Sequence, residues 1–166
     1  MKPPPAPPPD FIIALSFCGQ ASPADLEILA RLWDFPGVPK FHDLDQPMST
    51  PLTIMKAIHE ARQQEWKYVT VIAAPPHQNR INRDLRELLK RAGLDIRIEI
   101  DKNLNKKFAF KFWFWELAPC WWVRRWWLWS CYELFVRSLP FNFYLRMAEK
   151  ATNNTSRFWI FFQKPK

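Results

Sequence analysis

Residues 68–93 read YVTVIAAPPHQNRINRDLRELLKRAG. Tyr68 to Ala74 is apolar almost throughout, the composition of a strand buried on both faces. Pro75-Pro76 ends it, because proline has no amide to give to a strand ladder. Ile81, Leu85, Leu88, Leu89 and Ala92 then recur at helical spacing, and Gly93 stands where a left-handed C-cap belongs. A strand feeding an amphipathic helix is half of a βαβ unit.

The flanking sequence repeats the pattern. Phe11 to Phe17 is a second apolar run and reads as a strand. Ser22-Pro23-Ala24-Asp25 is a helix start, with serine as N-cap, proline at the first helical position and an acid facing the cap. Leu26, Leu29, Ala30 and Trp33 follow at helical spacing, and Pro36-Gly37 stops that helix. Val38 to Phe41 reads as a short strand. Thr50-Pro51 opens a helix striped by Ile54, Met55, Ile58 and Ala61. Downstream, Leu94, Ile96, Ile98 and Ile100 alternate with Asp95, Arg97 and Glu99, so the last strand has one wet face and belongs at an edge. Strand and helix alternate throughout, which predicts an α/β fold: a small three-layer Rossmann-like sandwich with a mainly parallel sheet. Residues 1–10 read as a proline-rich arm, 11–101 as the α/β core, and 102–166 as a basic aromatic segment packing on or beside it. That segment is expected to carry a helix over Trp121 to Leu139.

Composition narrows the function. The 166 residues hold three glycines, about 2% against a usual share of about 7%. Neither G-x-G-x-x-G nor G-x-x-x-x-G-K-[ST] occurs, so the standard phosphate-cradling loops are absent. Cys18, Cys120 and Cys131 show no C-x-x-C spacing, which disfavours zinc ribbons and dithiol redox chemistry. No apolar run reaches 18 residues, so no ordinary membrane span is expected. Phe11 to Phe17 before Cys18 does not read as a lipoprotein signal: Asp10 and a proline block precede it, and bulky Phe17 sits at the cut. A cytoplasmic place, or one peripheral to an inner membrane, is the corresponding expectation.

Charge divides the chain. Residues 1–101 hold 12 Lys/Arg against 13 Asp/Glu, a net −1, whereas residues 102–166 hold 12 against 3, a net +9. The second part also holds eight of the ten tryptophans. Trp113, Trp115, Trp121, Trp122, Trp126, Trp127 and Trp129 stand among Lys111, Arg124 and Arg125, with Trp122, Trp126 and Trp129 on one helical stripe. Three readings stay open: rings capping the sheet, contact with an anionic membrane surface through Trp122, Arg124, Arg125 and Trp126, or a stacking platform for single-stranded nucleic acid. The last is the most disfavoured.

In an open parallel sheet, ligands bind beyond the carboxyl ends of the strands. Three loops qualify. The first carries Ser16, Cys18 and Gly19, the second Asp43, Asp45, Ser49 and Thr50, the third His77, Asn79 and Arg80. Arginine forks onto oxyanions and a helix N-terminus adds N–H donors, so the set suits a phosphate or carboxylate. Plainer roles stand beside this one: Ser49 or Thr50 as N-cap, His77 as a capping or surface residue, Arg80 solvating a first helical turn, and Asp43 and Asp45 solvating a loop.

The run Val69-Thr-Val-Ile-Ala-Ala-Pro-Pro-His77-Gln-Asn-Arg80, followed by an apolar helix and Ala92-Gly93-Leu94, resembles the strand–H-x-x-R–helix pattern of the SanA/YdcF/ElyC family of envelope-associated proteins. Asp43-Leu-Asp45-Gln-Pro-Met-Ser49-Thr50 sits where that family has an acidic, then Ser/Thr-rich, segment. Pro36-Gly37-Val38-Pro39 is similar to its G-V-P turn, and the Trp-rich stretch with Glu133 to a C-terminal W…E stretch. The resemblance covers roughly residues 11–139. Two departures stand out: the family's opening strand, glycine-rich turn and helix have no counterpart, which implies a domain shortened at its N-terminus, and Ser16-Phe17-Cys18-Gly19 has one glycine where the family usually has two. The resemblance implies an envelope-associated domain binding a small anionic, nucleotide-like or lipid-linked phosphate ligand. Asp45, Ser49, Thr50, His77 and Arg80 would form its centre, with Ser16, Gly19 and Asn79 as further contacts. Were it catalytic, phosphate hydrolysis or transfer would suit, with His77 as acid/base and Arg80 as charge stabiliser. Some members are described as binding S-adenosylmethionine, a cofactor these residues do not themselves indicate. The alternative is a non-catalytic membrane-surface or interaction module with a decayed pocket.

Overall fold

A computed structural model of the chain describes residues 7–16, 22–44, 50–104 and 125–153. The apolar run at Phe11–Leu15 forms strand β1, buried along its whole length. Helix α1 (Pro23–Trp33) leads to β2 (Lys40–His42), α2 (Thr50–Gln63) to β3 (Tyr68–Ala73), and α3 (Pro75–Ala92) to β4 (Arg97–Ile100). Two further helices follow, α4 (Trp126–Ser138) and α5 (Phe141–Asn153). The strands make one parallel sheet in the order β2-β1-β3-β4. The fold is α/β, a small Rossmann-like sandwich.

Sheet residues point alternately into two cores. Ile12, Ala14, Ile72 and Ala74 pack with Ile28 and Leu32 of α1 and with Trp129 of α4. Phe11, Ile13, Leu15, Val69 and Val71 pack with Ile54, Ala57 and Ile58 of α2 and with Ile81, Leu85 and Leu88 of α3. The helices after β1 and β3 therefore cover opposite faces of the sheet. β4 lies at the edge, and its residues alternate between exposed and half-buried.

Local capping follows the chemistry of the termini. Ser22 Oγ accepts from the Asp25 amide at 3.0 Å, and the Asp25 carboxylate accepts from the Ser22 amide at 3.3 Å, closing a capping box. Ser22→Ala is expected to cost about 1 kcal/mol, read as a lower urea midpoint at unchanged slope. An unshifted midpoint would show the box to be dispensable. Gly93 ends α3 at φ +67°, the left-handed conformation glycine adopts without strain.

The structure departs from the sequence reading at several points. α1 buries Ala24, Asp25, Ile28 and Leu32, while Leu26 and Trp33 are exposed. Two apolar stripes lie on that helix, and Ile28 with Leu32 is the one facing the sheet. β2 begins at Lys40, two residues later than expected. Met55 is exposed on α2, where Thr53 and Ala57 are buried instead. The C-terminal helix begins at Trp126 among the described residues and stops at Ser138. Pro140 breaks it and starts another, its carbonyl accepting from the Phe143 and Tyr144 amides at 2.9 and 3.0 Å. The tryptophan stripe divides: Trp129 is buried, Trp126 is exposed, and Trp121, Trp122 and Arg124 lie outside the described residues. Trp113 and Trp115 lie outside them too.

Candidate functional site

β1 and β3 are neighbours whose following helices diverge to opposite faces, and this is where an open α/β sheet leaves a crevice at its carboxyl edge. Ser16 leaves β1 there, Asp43 follows β2, Thr50 opens α2, and His77 and Arg80 lie in the first turns of α3. The Ser16 amide donates to Asp43 Oδ1 at 2.6 Å, tying the ends of β1 and β2.

The start of α3 is unusual in its donors. Pro75 and Pro76 fill its first two positions and have no N–H, while the His77 amide is satisfied by the Ala74 carbonyl at 2.8 Å. The N-terminus that sequence reasoning offered as a source of anion-binding amides therefore has few to give. Side chains carry the site.

His77 and Arg80 point inward on one face of α3, each nine-tenths or more buried. Thr50 Oγ1 lies 3.4 Å from His77 Nε2. Arg80 Nη2 lies 3.0 Å from both ring nitrogens of His77, which places it over the ring rather than in line with one lone pair. Glu133 reaches in from α4, its Oε1 3.3 Å from Arg80 Nη1 and 3.6 Å from His77 Nδ1. Arg80 Nη1 also donates to the Tyr132 hydroxyl at 3.3 Å, and the guanidinium lies 5.5 Å from the Tyr132 ring centroid and 6.0 Å from that of Trp129. Trp129 meets His77 ring to ring at 5.9 Å. Arg80 Nε is buried with no hydrogen-bond partner. One turn further along α3 than Arg80, buried Asp84 accepts from Arg83 at 2.7 Å and from the Tyr144 hydroxyl at 3.0 Å.

Burial sets the protonation states. It pushes His77 down to about 4, helped by the Arg80 charge and opposed by Glu133, so the ring is neutral at pH 7. Burial alone would raise Glu133, but the His77 ring and the Arg80 charge outweigh it and hold its carboxyl below the ordinary range. Asp43 is pushed up to about 7, first by burial and then by nearby Asp25, against the Ser16 amide that favours its charged form. Burial likewise raises Asp84 and Tyr144. Arg80 stays charged: burial disfavours its cation, but the surrounding oxygens, Glu133 among them, more than compensate.

Of the residues the sequence pointed to, the structure brings together Thr50, His77 and Arg80, with Ser16 and Asp43 at the adjoining strand ends. Neither His77 nor Arg80 is a surface residue of the first helical turn. Asn79 is exposed, on the side of α3 away from His77 and Arg80. Gly19, Cys18, Asp45 and Ser49 lie outside the described residues. Sequence reasoning noticed Glu133 through the resemblance alone and gave it no partner. It passed over Trp129, Tyr132, Asp84 and Tyr144 as site neighbours. One signal was present: His77, Arg80 and Asp84 recur at i, i+3 and i+7, a polar row beside the apolar stripe of α3. Among the described residues no group of three His, Cys, Asp or Glu is placed to hold a metal ion.

Compared with known protein families, curated proteins and solved structures, the chain matches none.

Proposed function

We propose that the carboxyl edge between β1 and β3 binds a small oxyanion, a phosphoryl group above all, in an envelope-associated domain of the kind the resemblance to the SanA/YdcF/ElyC family implies. The observation that carries this reading is the buried, permanently charged Arg80, whose Nε has no partner. A buried unmade donor costs about 1–3 kcal/mol, which an oxyanion accepting from it would recover. The Thr50 hydroxyl and the neutral His77 ring stand beside it as further donors. Binding is favoured over catalysis by His77 itself, because a base with pKa about 4 is mismatched to proton transfer at neutral pH. An arriving dianion would raise that pKa, so binding should take up protons near neutrality.

The test is thermal unfolding of the whole chain with inorganic phosphate or pyrophosphate against chloride at matched ionic strength. A tenfold excess over Kd should raise Tm by roughly 3–6 °C. Arg80→Lys, which keeps the charge and removes the fork, should abolish the shift. Titration calorimetry in two buffers of different ionisation enthalpy should report proton uptake. No shift with either anion, or the same shift in Arg80→Lys, overturns the reading.

A further inference from the structure

A groove of about 430 Å³ lies between α3 and the α4–α5 turn, beginning one turn beyond Arg80 along α3. Arg83, Arg86, Lys90 and Arg137 line it together with Leu139 and Phe141. Arg83 is spent inside the protein, on Asp84 and on the Val136 carbonyl. The one acid in the groove, Glu87, is held by Arg91. Arg86, Lys90 and Arg137 remain as exposed cations facing this space, and Arg86 directs its Nε to Asn82.

The two helices that meet at this turn, α4 against the α1-side core and α5 against the α2–α3 side, each carry apolar exposure. Trp126, Trp127, Leu134 and Phe135 of α4, and Phe143 and Met147 of α5, are all at least 38% exposed. Arg125, Arg146 and Lys150 are exposed beside them, whereas the single acid of α4, Glu133, is buried. An apolar face rimmed by cations has the chemistry of a helix lying in a bilayer interface. Each helix has 13 residues, well below the ~20 needed to cross a bilayer, and among the described residues no helix is long and apolar enough to do so. The exposed side of α4 can lie on a membrane.

The residues also discriminate between partners. Leu134 has no π-face, so it suits hydrocarbon and adds nothing to base stacking. A second copy docked on the same face by a two-fold axis would set the rim cations against themselves. An anionic leaflet meets both the rings and the charges.

We propose that the exposed face of α4 is a contact surface for anionic phospholipid bilayers, with a lipid headgroup phosphate seated by Arg86, Lys90 and Arg137 in the groove beside it. The side chains of this surface are other than those of the oxyanion site at the sheet edge, although α4 contributes to both.

The experiment is sedimentation of the full chain with vesicles of phosphatidylcholine doped with phosphatidylglycerol, and with vesicles of phosphatidylcholine alone. Binding is expected to the first and not the second, and to fall steeply with added salt. Arg86→Gln with Lys90→Gln should weaken it on the order of tenfold or more. Trp127→Ser with Leu134→Ser should weaken it comparably. All four positions are solvent-facing, so unchanged melting midpoints will show that the variants are folded. Arg80→Lys should bind vesicles as the parent does. No binding to the doped vesicles overturns the proposal, as does equal binding to neutral ones. So do undiminished binding by the Arg86/Lys90 variant, complete displacement by free glycerol phosphate, and a dimer that the Trp127/Leu134 variant converts to monomer.

Discussion

Glu133→Gln is expected to lower the unfolding free energy by about 3–5 kcal/mol, the cost of leaving a buried charge without its partner. Glutamine keeps the shape of the side chain, so almost none of this loss would be a cavity term. Arg80 cannot escape by losing its proton, and it is about nine-tenths buried. Asp84 gives limited help, since its oxygens are already engaged by Arg83 and Tyr144. The companion variant makes the test specific. Arg80→Met with Glu133→Leu replaces the pair by apolar side chains, and such exchanges are close to neutral or stabilising. Chemical denaturation of the two single variants and the double gives the coupling directly. If the double variant loses as much as Glu133→Gln does, the pair is not what holds α4 to α3.

The second expected result concerns pH. His77 is depressed from 6.5 to about 4, so the unfolded chain takes up a proton there that the folded chain refuses. Its contribution to stability is complete above pH 6.5 and is lost as pH falls towards 4, at about 1.4 kcal/mol per unit. Asp43 is raised from 3.8 to about 7, and its contribution has the opposite sign: complete below 3.8, and lost as pH rises through 7. Over roughly pH 4 to 6.5 the two slopes oppose and nearly cancel. His77→Gln should therefore uncover Asp43, with stability falling relative to the parent by about 1.4 kcal/mol per unit across that window. Asp43→Asn should uncover His77 and tilt the difference the other way. Urea unfolding of the three proteins at several pH values measures this. Parallel curves for His77→Gln and the parent would mean that the imidazole titrates as it does in water.

Much of the fold was legible because its signals are local. The capping box at Ser22, the proline stop at Pro75, the stripe from Ile81 to Ala92 and Gly93 after it each act within a few residues, and their order gives a parallel sheet. Orientation was not legible. Leu26, Ala30 and Trp33 satisfy helical spacing as well as Ile28 and Leu32 do, and only the sheet decides between them. The meeting of Thr50 with His77 followed from a topological rule, since both succeed strands at the same edge. Glu133 did not follow, because it is more than 50 residues from Arg80 and its place depends on how α4 packs on α3. Nor did α5: Pro140 signals the end of a helix, but its carbonyl beginning another is visible only in three dimensions.

Pro75-Pro76 at the head of α3 separates what encodes the fold from what encodes the ligand. A ligand gripped by main-chain amides is specified by the path of the chain, so every sequence that adopts the path inherits the grip. Here the path withholds those amides, and recognition passes to a few exchangeable side chains. Architecture and ligand choice are then encoded in different residues, and one can be rewritten while the other persists.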